Sequence, residues 1–456
     1  MYENYDLNQL LDLVARKQFR QLKDLLAEMN VVDIAEFLDE IEPEQQLVVF
    51  RLLAKDMAAD VFAYLEDSED QEKLIAALND KELREVLDEL YLDDTVDIIE
   101  DMPANVVSRI LRNTDITTRS QINQLLNYPK NSAGSIMTTE FIFLHPDATV
   151  ADSFDRIRKV GLDKETIYTC YVTKNRVLLG VVTVKALLLS PYETRIGDIM
   201  QTNVLSVDTH EDKEDVAQMF SKYDMTSLPV VDNENRLVGI ITVDDAMDVI
   251  EEATTEDFER MAAILPSDKP YLKTGAVEAW KSRIPWLMML MLSATFTGLI
   301  ITHFESALTA CVVLTSFIPM LSGTGGNSGS QSSVAVIRAL SLGEADFSDM
   351  AAVVWKEFRV AILCGLCLGA ANFVKLMAVD CWLMKNPQVT PLVALVVCVT
   401  LVCTVICAKI VGCTLPMVAE KIGIDPAVMA APFITTMVDA LSLLIYFAVA
   451  TQVLGI

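Results

Sequence analysis

After residue 283 the chain is dominated by apolar runs, at 284–302, 307–340, 351–376, 390–416 and 427–454. About 20 consecutive apolar residues cross the roughly 30 Å hydrocarbon core of a bilayer when helical. Lipid offers no partner to backbone N–H and C=O groups, so such runs have to close their hydrogen bonds internally, as helices. This constraint makes residues 273–456 a transmembrane domain of five helical spans. The second run, longer than a simple span, carries the glycine-rich stretch PMLSGTGGNSGSQ between Pro319 and Gln331.

Asp439 stands in the middle of the last run, and no lysine or arginine follows Lys421. A carboxylate at bilayer depth costs several kcal/mol (about 2.5–3.5 on insertion scales), so it normally faces water, an ion or a partner. Thr435 and Thr436 precede it by one helical turn and fall on or near its face. These residues read as the wall of a cation path. The glycines between Gly323 and Gly329, including Gly325 and Gly326, let the backbone leave helical geometry and turn carbonyls toward an ion. Close helix packing is the other use of such residues. Asn327 and Gln331, four residues apart, need polar partners at that depth. Glu305, in the short connection between the first two spans, offers a charge at the mouth of the path.

Acidic and basic residues balance after Tyr271, so the whole net charge of −28 belongs to the first 270 residues. An acidic surface of that density repels nucleic acid and anionic lipid headgroups. Eight of the nine cysteines lie in the membrane half, which argues against a disulfide framework. Cys364 and Cys367 fall inside an apolar run and read as small packing residues. Residues Met1 to Tyr5 carry neither the basic nor the apolar region of a signal peptide. The three histidines are scattered, and neither a phosphate-binding GK[ST] ending nor a hydrolytic constellation occurs, so an enzyme is not expected.

Residues 1–130 read as helices throughout, with leucine, isoleucine and valine at spacings of three and four. The segment from Asp33 resembles that from Asp94, with a degenerate copy at Asp60, as stacked helix pairs of a short solenoid would. Residues 131–250 hold a clearer duplication. Asn175-Arg-Val-Leu-Leu-Gly180-Val-Val-Thr183 recurs as Asn235-Arg-Leu-Val-Gly239-Ile-Ile-Thr242. Short β-branched runs alternate with helical segments in both copies, which resembles a tandem pair of CBS domains, the Bateman module. A linking segment, 251–272, follows. The acidic amphipathic pattern behind it runs from Asp244 to Leu265, ended by Pro266, Ser267 and Pro270.

If the soluble half is cytosolic, Lys281, Arg283, Arg338, Lys356, Arg359, Lys409 and Lys421 flank the inner side, against Lys375 and Lys385 outside. That asymmetry predicts a multi-pass protein of the cell membrane, with a cytosolic N-terminus and an external C-terminus.

Taken together, the stretch from Pro319 to Gln331, Gly423-Ile-Asp425-Pro426, Pro432 to Asp439 and the domain order resemble the MgtE family of magnesium transporters and channels over the full length. The resemblance implies a homodimer with one pore on the two-fold axis, lined by the second and fifth spans, with Asp439 as the pore aspartate. It also implies gating by cytosolic Mg²⁺. Asp244, Asp248 and Glu251 or Glu252 share one helical face, where like charges repel. Lys185 stands in the first copy where Asp244 stands in the second, so the fold does not require these acids. Asp245, Glu256 and Asp257 continue the series, Asp212, Glu214, Asp215 and Asp224 add to it, and Asp93, Asp94 and Asp97 offer carboxylates from the helical domain. Mg²⁺ bridging these surfaces would hold the linking helix against the inner mouth near Asp425.

Thr242-x-Asp244 fits the sugar-contacting signature of nucleotide-binding CBS domains, which points to ATP or another adenine nucleotide. Thr242 with Asp245 is equally a helix-capping pair. Two other readings stay open. One is a secondary divalent-cation transporter coupled to Na⁺ or H⁺, against which no second intramembrane carboxylate or basic partner for a relay is evident. The other is a membrane-tethered CBS sensor.

Overall fold

The computed structural model describes residues 7–65, 68–267, 269, 271–384, 387–429 and 431–455. Met1 to Tyr5, the end of the degenerate repeat after Leu65, Pro270 and Lys385 therefore lie outside the described residues. The chain divides into two compact units, with the boundary between Glu251 and Glu252.

Among the described residues the first unit opens with ten short helices: α1 (Leu7–Ala15), α2 (Phe19–Leu26), α3 (Val31–Asp39), α4 (Pro43–Phe50), α5 (Lys55–Ala63), α6 (Ser68–Ala77), α7 (Asp80–Leu87), α8 (Leu92–Asp101), α9 (Ala104–Asn113) and α10 (Ile116–Leu125). Polar caps set several starts. Asn30 accepts from the Val32 amide, Asp115 from Thr117, and Asn79 with Glu82 forms a reciprocal capping box. Helices alternate in contact: α3 packs on α5, α5 on α7 and α7 on α9, while α4 packs on α6.

The duplicated segment follows as β1 (Phe143–Leu144), α11 (Val150–Val160), β2 (Thr169–Lys174), β3 (Val177–Thr183), α12 (Val184–Leu189) and α13 (Ile196–Ile199). The second copy comprises β4 (Val207–Asp208), α14 (Lys213–Tyr223), β5 (Ser227–Val231) and β6 (Leu237–Thr242). Each copy forms a three-stranded sheet with one parallel and one antiparallel pairing. The repeated glycines have a steric reason. Val181 exchanges two hydrogen bonds with Gln201 across the end of β3, and Ile240 does the same with Thr138. A Cβ on Gly180 would lie 2.5 Å from the Gln201 carbonyl oxygen, and one on Gly239 would lie 2.8 Å from that of Thr138. The repeated Asn-Arg pairs join the copies: Leu178 N–H donates to Asn235 O (3.1 Å) and Leu237 N–H to Arg176 O (2.8 Å).

The linking helix α15 (Val243–Met261) begins inside the second CBS copy and ends four residues before the expected stop. Ala263 takes a left-handed backbone (φ 56°), and the Ile264 amide turns back to Glu259 O (2.9 Å). The helix is thus closed by a local turn before the prolines can act.

The second unit contains α16 (Ala276–His303), α17 (Glu305–Ala310), α18 (Ile318–Ser341), α19 (Met350–Lys375), α20 (Pro391–Lys421) and α21 (Ala431–Leu454). Among the described residues four helical stretches are long and apolar enough to cross a membrane, at 276–303, 347–383, 391–421 and 426–454. The expected second span resolves into α17, a 3₁₀ stretch (Val312–Phe317) and the glycine- and serine-rich α18. Here the sequence reading needs correcting, because the glycine-rich stretch is not irregular but one continuous α-helix. Its glycines serve packing: a Cβ on Gly325 would lie 2.7 Å from Thr404, one on Gly326 2.8 Å from Thr435, and one on Gly329 2.8 Å from Ile434. α18 packs on both α20 and α21, α19 packs on α20, and α16 on α21.

Candidate ion sites

α21 carries Asp439, half-buried, and the hydroxyl of Ser322 on α18 donates to its carboxylate. The two helices meet where Gly326 admits the methyl of Thr435, so Thr435 serves packing as well as lining. Thr436 turns its hydroxyl to its own helix, donating to Pro432 O (3.0 Å). Along α18 the small residues Gly325, Gly326, Ser328, Gly329, Ser332 and Ser333 are buried. Asn327, Gln331, Val334 and Arg338 are exposed along an open groove that Glu344 also borders. Glu305 is exposed at the first position of α17.

In the soluble unit, carboxylates from three parts of the chain converge. Asp93 and Asp94 come from the first turn of α8, Glu140 and Glu165 from the segments that precede β1 and β2 in the first CBS copy, and Asp244 and Asp245 open α15. Oxygens of Asp93, Glu140 and Glu165 lie within 4.8 Å of one another. Asp93 is 8% exposed, and Glu140 accepts from the Leu92 amide (3.3 Å). Burial, then the charges of Asp245 and Asp244, pushes Asp94 up to about 7. Burial and the charge of Asp93 push Glu165 up to about 9. Asp93 and Asp245 move in the same direction, each through burial and then a neighbouring acid. One Glu165 carboxyl oxygen is buried without a hydrogen-bond partner. Two ionised carboxylates at this spacing repel by about 3 kcal/mol at an effective dielectric constant of 20. An all-oxygen, anionic donor set of this kind fits a hard divalent cation, first-shell waters included.

Elsewhere the predicted ligands divide. Asp248 and Glu252 are exposed, as are Asp244 of the cluster and Asp97, which feels the charges of Asp245 and Asp93. Asp212 caps α14 by accepting from the Glu214 amide (2.9 Å), and Asp224 ends that helix in a left-handed conformation (φ 51°). In the second unit the Ser341 hydroxyl donates to Asp257 (3.1 Å). Arg260 pairs with both Glu256 and Asp425. These two carboxylates, expected to hold Mg²⁺, are bridged by a guanidinium of the chain itself. Thr242 donates its hydroxyl to Asp245 (2.5 Å), which is the capping arrangement, while Asp244 is exposed.

Residues 29–131 match the MgtE intracellular N domain, 133–192 and 196–252 match CBS domains, and 318–449 match a divalent cation transporter family, MgtE. The magnesium transporter MgtE of Thermus thermophilus is 37% identical over 439 residues, covering 95% of each chain. The chain belongs to the MgtE family of magnesium transporters. The Bacillus subtilis MgtE is 33% identical, over 93% of this chain and 87% of that one. The crystal structure of the cytosolic domain of the Mg²⁺ channel MgtE in complex with ATP superposes with a TM-score of 0.51 at 36% identity, covering 54% of this chain and all of that one. The MgtE family is one of transporters, not of enzymes, and its apolar helices make this chain a multi-pass membrane protein.

Within this MgtE chain the sequence reading missed six side chains. Ser322 and Arg260 carry no signal, because only folding brings them to Asp439 and Asp425. Glu140 and Glu165 are likewise ordinary surface acids until the helical domain docks. A buried pair in the membrane half did leave a trace. Lys409 was read as a membrane-flanking charge, yet it is 4% exposed inside α20 and lies 3.7 Å from Glu357 of α19. A second carboxylate with a basic partner is therefore present among the membrane helices, contrary to the expectation. Each stands well inside its apolar run, where a charge has to be paired.

Proposed function

We propose that the chain transports Mg²⁺ selectively as a homodimeric channel, with five spans, a cytosolic N-terminus and an external C-terminus. Its pore is lined by α18 and α21. The observation that carries this reading is the carboxylate of Asp439, half-buried between two helices packed through small residues and met there by a hydroxyl. Mg²⁺ keeps its first-shell waters, so a path lined by Asp439, Asn327 and Gln331 with the hydroxyls of Thr435 and Ser322 holds the hydrated ion through water. Two copies of Asp439 on a dimer axis would double the charge that the ion meets.

Gating follows from the convergent acids. At low cytosolic Mg²⁺, Asp93, Asp94, Glu140, Glu165, Asp244 and Asp245 repel one another. Mg²⁺ binds the assembled arrangement better than the separated one, and so shifts the population toward the closed channel. The linking helix α15 carries that change, because its first turn belongs to the acidic cluster and its last turn is tied by Arg260 to Asp425. ATP is a candidate ligand of the CBS pair, as it is bound by the related cytosolic domain. A coupled carrier gains support from the Glu357–Lys409 pair, which nevertheless meets α18 at Ser332, ten residues along the helix from Ser322, the partner of Asp439.

The test is Mg²⁺ flux into proteoliposomes, with Mg²⁺ low or high on the side of the soluble unit. Wild type is expected to conduct at low Mg²⁺ and stop at high. Asp439→Ala is expected to lower flux at least about 100-fold, the scale of losing about 2.7 kcal/mol of ion stabilisation. Asp244→Ala with Asp248→Ala is expected to conduct at both. Flux that requires an imposed Na⁺ or proton gradient would transfer the case to the coupled carrier.

A further inference from the structure

Three side chains from three helices meet inside the membrane half. The Ser332 hydroxyl on α18 donates to Glu357 Oε2 on α19 (2.5 Å), and the Lys409 ammonium on α20 donates to Ser332 Oγ (3.2 Å). Lys409 Nζ lies 3.7 Å from Glu357 Oε2, and both side chains are nearly excluded from solvent. Lys409 stands 12 residues before the end of α20, about 18 Å along the helix axis. A buried lysine and glutamate at that depth gain little net stability over an apolar pair. What such a pair supplies is direction, because breaking it strands a charge.

Beside this triad α18 meets α20 through glycines. One turn before Ser332 stands Gly329, and one turn after Lys409 stands Gly412. A Cβ on Gly412 would lie 2.2 Å from the Gly329 carbonyl oxygen. Glycine contacts bring the two backbones together, and the charged triad adds a directional restraint to that close packing. Ser332 is buried beside the exposed Gln331, and Val336 is buried (5% exposed) while Val334 is exposed (44%). Each residue of rotation error would turn the helix by about 100°. The amides of Asn327 and Gln331 would then leave the groove.

We propose that Glu357 and Lys409 are positioning residues that clamp α18 through Ser332, fixing the rotation at which Asn327 and Gln331 face the ion path. The clamp itself stands on the packing of three helices. Its consequence for transport rests on the reading that α18 lines the pore.

The experiment reads rotation and transport separately in the full-length protein in liposomes. Val334→Cys and Val336→Cys report the exposed and the buried face of α18 through their rates of modification by a water-soluble methanethiosulfonate, above the background of the native cysteines. The ratio of the two rates is measured in the parent and in Lys409→Met, Lys409→Arg and the double variant Glu357→Gln/Lys409→Met. Lys409→Met is expected to reduce the ratio about tenfold, the factor that a 1.4 kcal/mol bias produces. Lys409→Arg keeps the charge and the donor, so it should retain the parental ratio. The double variant leaves no stranded charge and keeps an acceptor for Ser332, so it should return within about twofold of the parent. An unchanged ratio in folded Lys409→Met overturns the clamp. If that variant does not fold, Ser332→Ala carries the test, with a reduced ratio expected and an unchanged one overturning the proposal. A shifted ratio with unchanged Mg²⁺ flux leaves the clamp standing and removes α18 from the pore lining.

Discussion

In the soluble unit Asp93, Asp94, Asp245 and Glu165 are held above the ordinary carboxylate range by burial and by one another. In the second unit the carboxylates are matched from within the chain: Asp425 and Glu256 by Arg260, Glu357 by Lys409 and Ser332, and Asp439 by Ser322. The first arrangement leaves repulsion that an added cation or a proton relieves. The second is hydrogen-bonded or ion-paired from within the chain, so its geometry is set by packing. The proposed sensor and the proposed ion path would differ physically in this way, the one kept incomplete and the other completed.

Packing gives the largest expected effect. Gly412→Ala should destabilise the membrane half by about 1–3 kcal/mol or more, because α18 and α20 have to separate to admit the methyl group. Thermal unfolding in detergent measures it; an unchanged midpoint would mean that the helices have room to spare. Mg²⁺ should not rescue this variant.

The soluble unit is expected to respond to pH and Mg²⁺ instead. The acids have folded-state pKa values raised to about 7 for Asp94 and about 9 for Glu165, against about 4 when unfolded. Their contribution to stability is fully present below about pH 4 and is lost as pH rises through 7 to 9, since the unfolded chain gives up these protons more readily. In chelator, the unfolding midpoint of the soluble unit should fall between about pH 6 and pH 9. Millimolar Mg²⁺ should restore about 3–6 °C at the alkaline end and less at the acid end. Asp93→Asn with Asp245→Asn should flatten both dependences. A midpoint in the double variant that still falls with pH by the wild-type amount would place the responsive acids elsewhere.

The smallest effect is expected at the junction. Arg260→Gln removes the guanidinium shared by Glu256 and Asp425, half-buried and worth about 1 kcal/mol. The Mg²⁺ concentration that halves flux should rise about two- to fivefold. No change would show that Arg260 only decorates the end of α15.

Much of the architecture was legible because it is periodic. Apolar runs fixed the membrane half, and the repeated Gly180/Gly239 and Thr183/Thr242 fixed the duplicated module. The same glycines that drew attention to α18 were misjudged in geometry: a sequence shows that side chains are missing, not whether another backbone occupies the space. Lys409 was legible in principle, as a charge 12 residues from the end of its helix, and so was Glu357 inside the preceding run.

The sequence by itself determined the apolar runs, the duplicated module, the charge asymmetry between the halves and the carboxylate at Asp439, since local pattern and the cost of burying charge act along the chain. Tertiary structure alone decided which acids meet acids and which meet cations. Asp93, Glu140 and Glu165 come from distant segments, as do Arg260 and Asp425. Electrostatic energy depends on separation in space, which no spacing along the chain records.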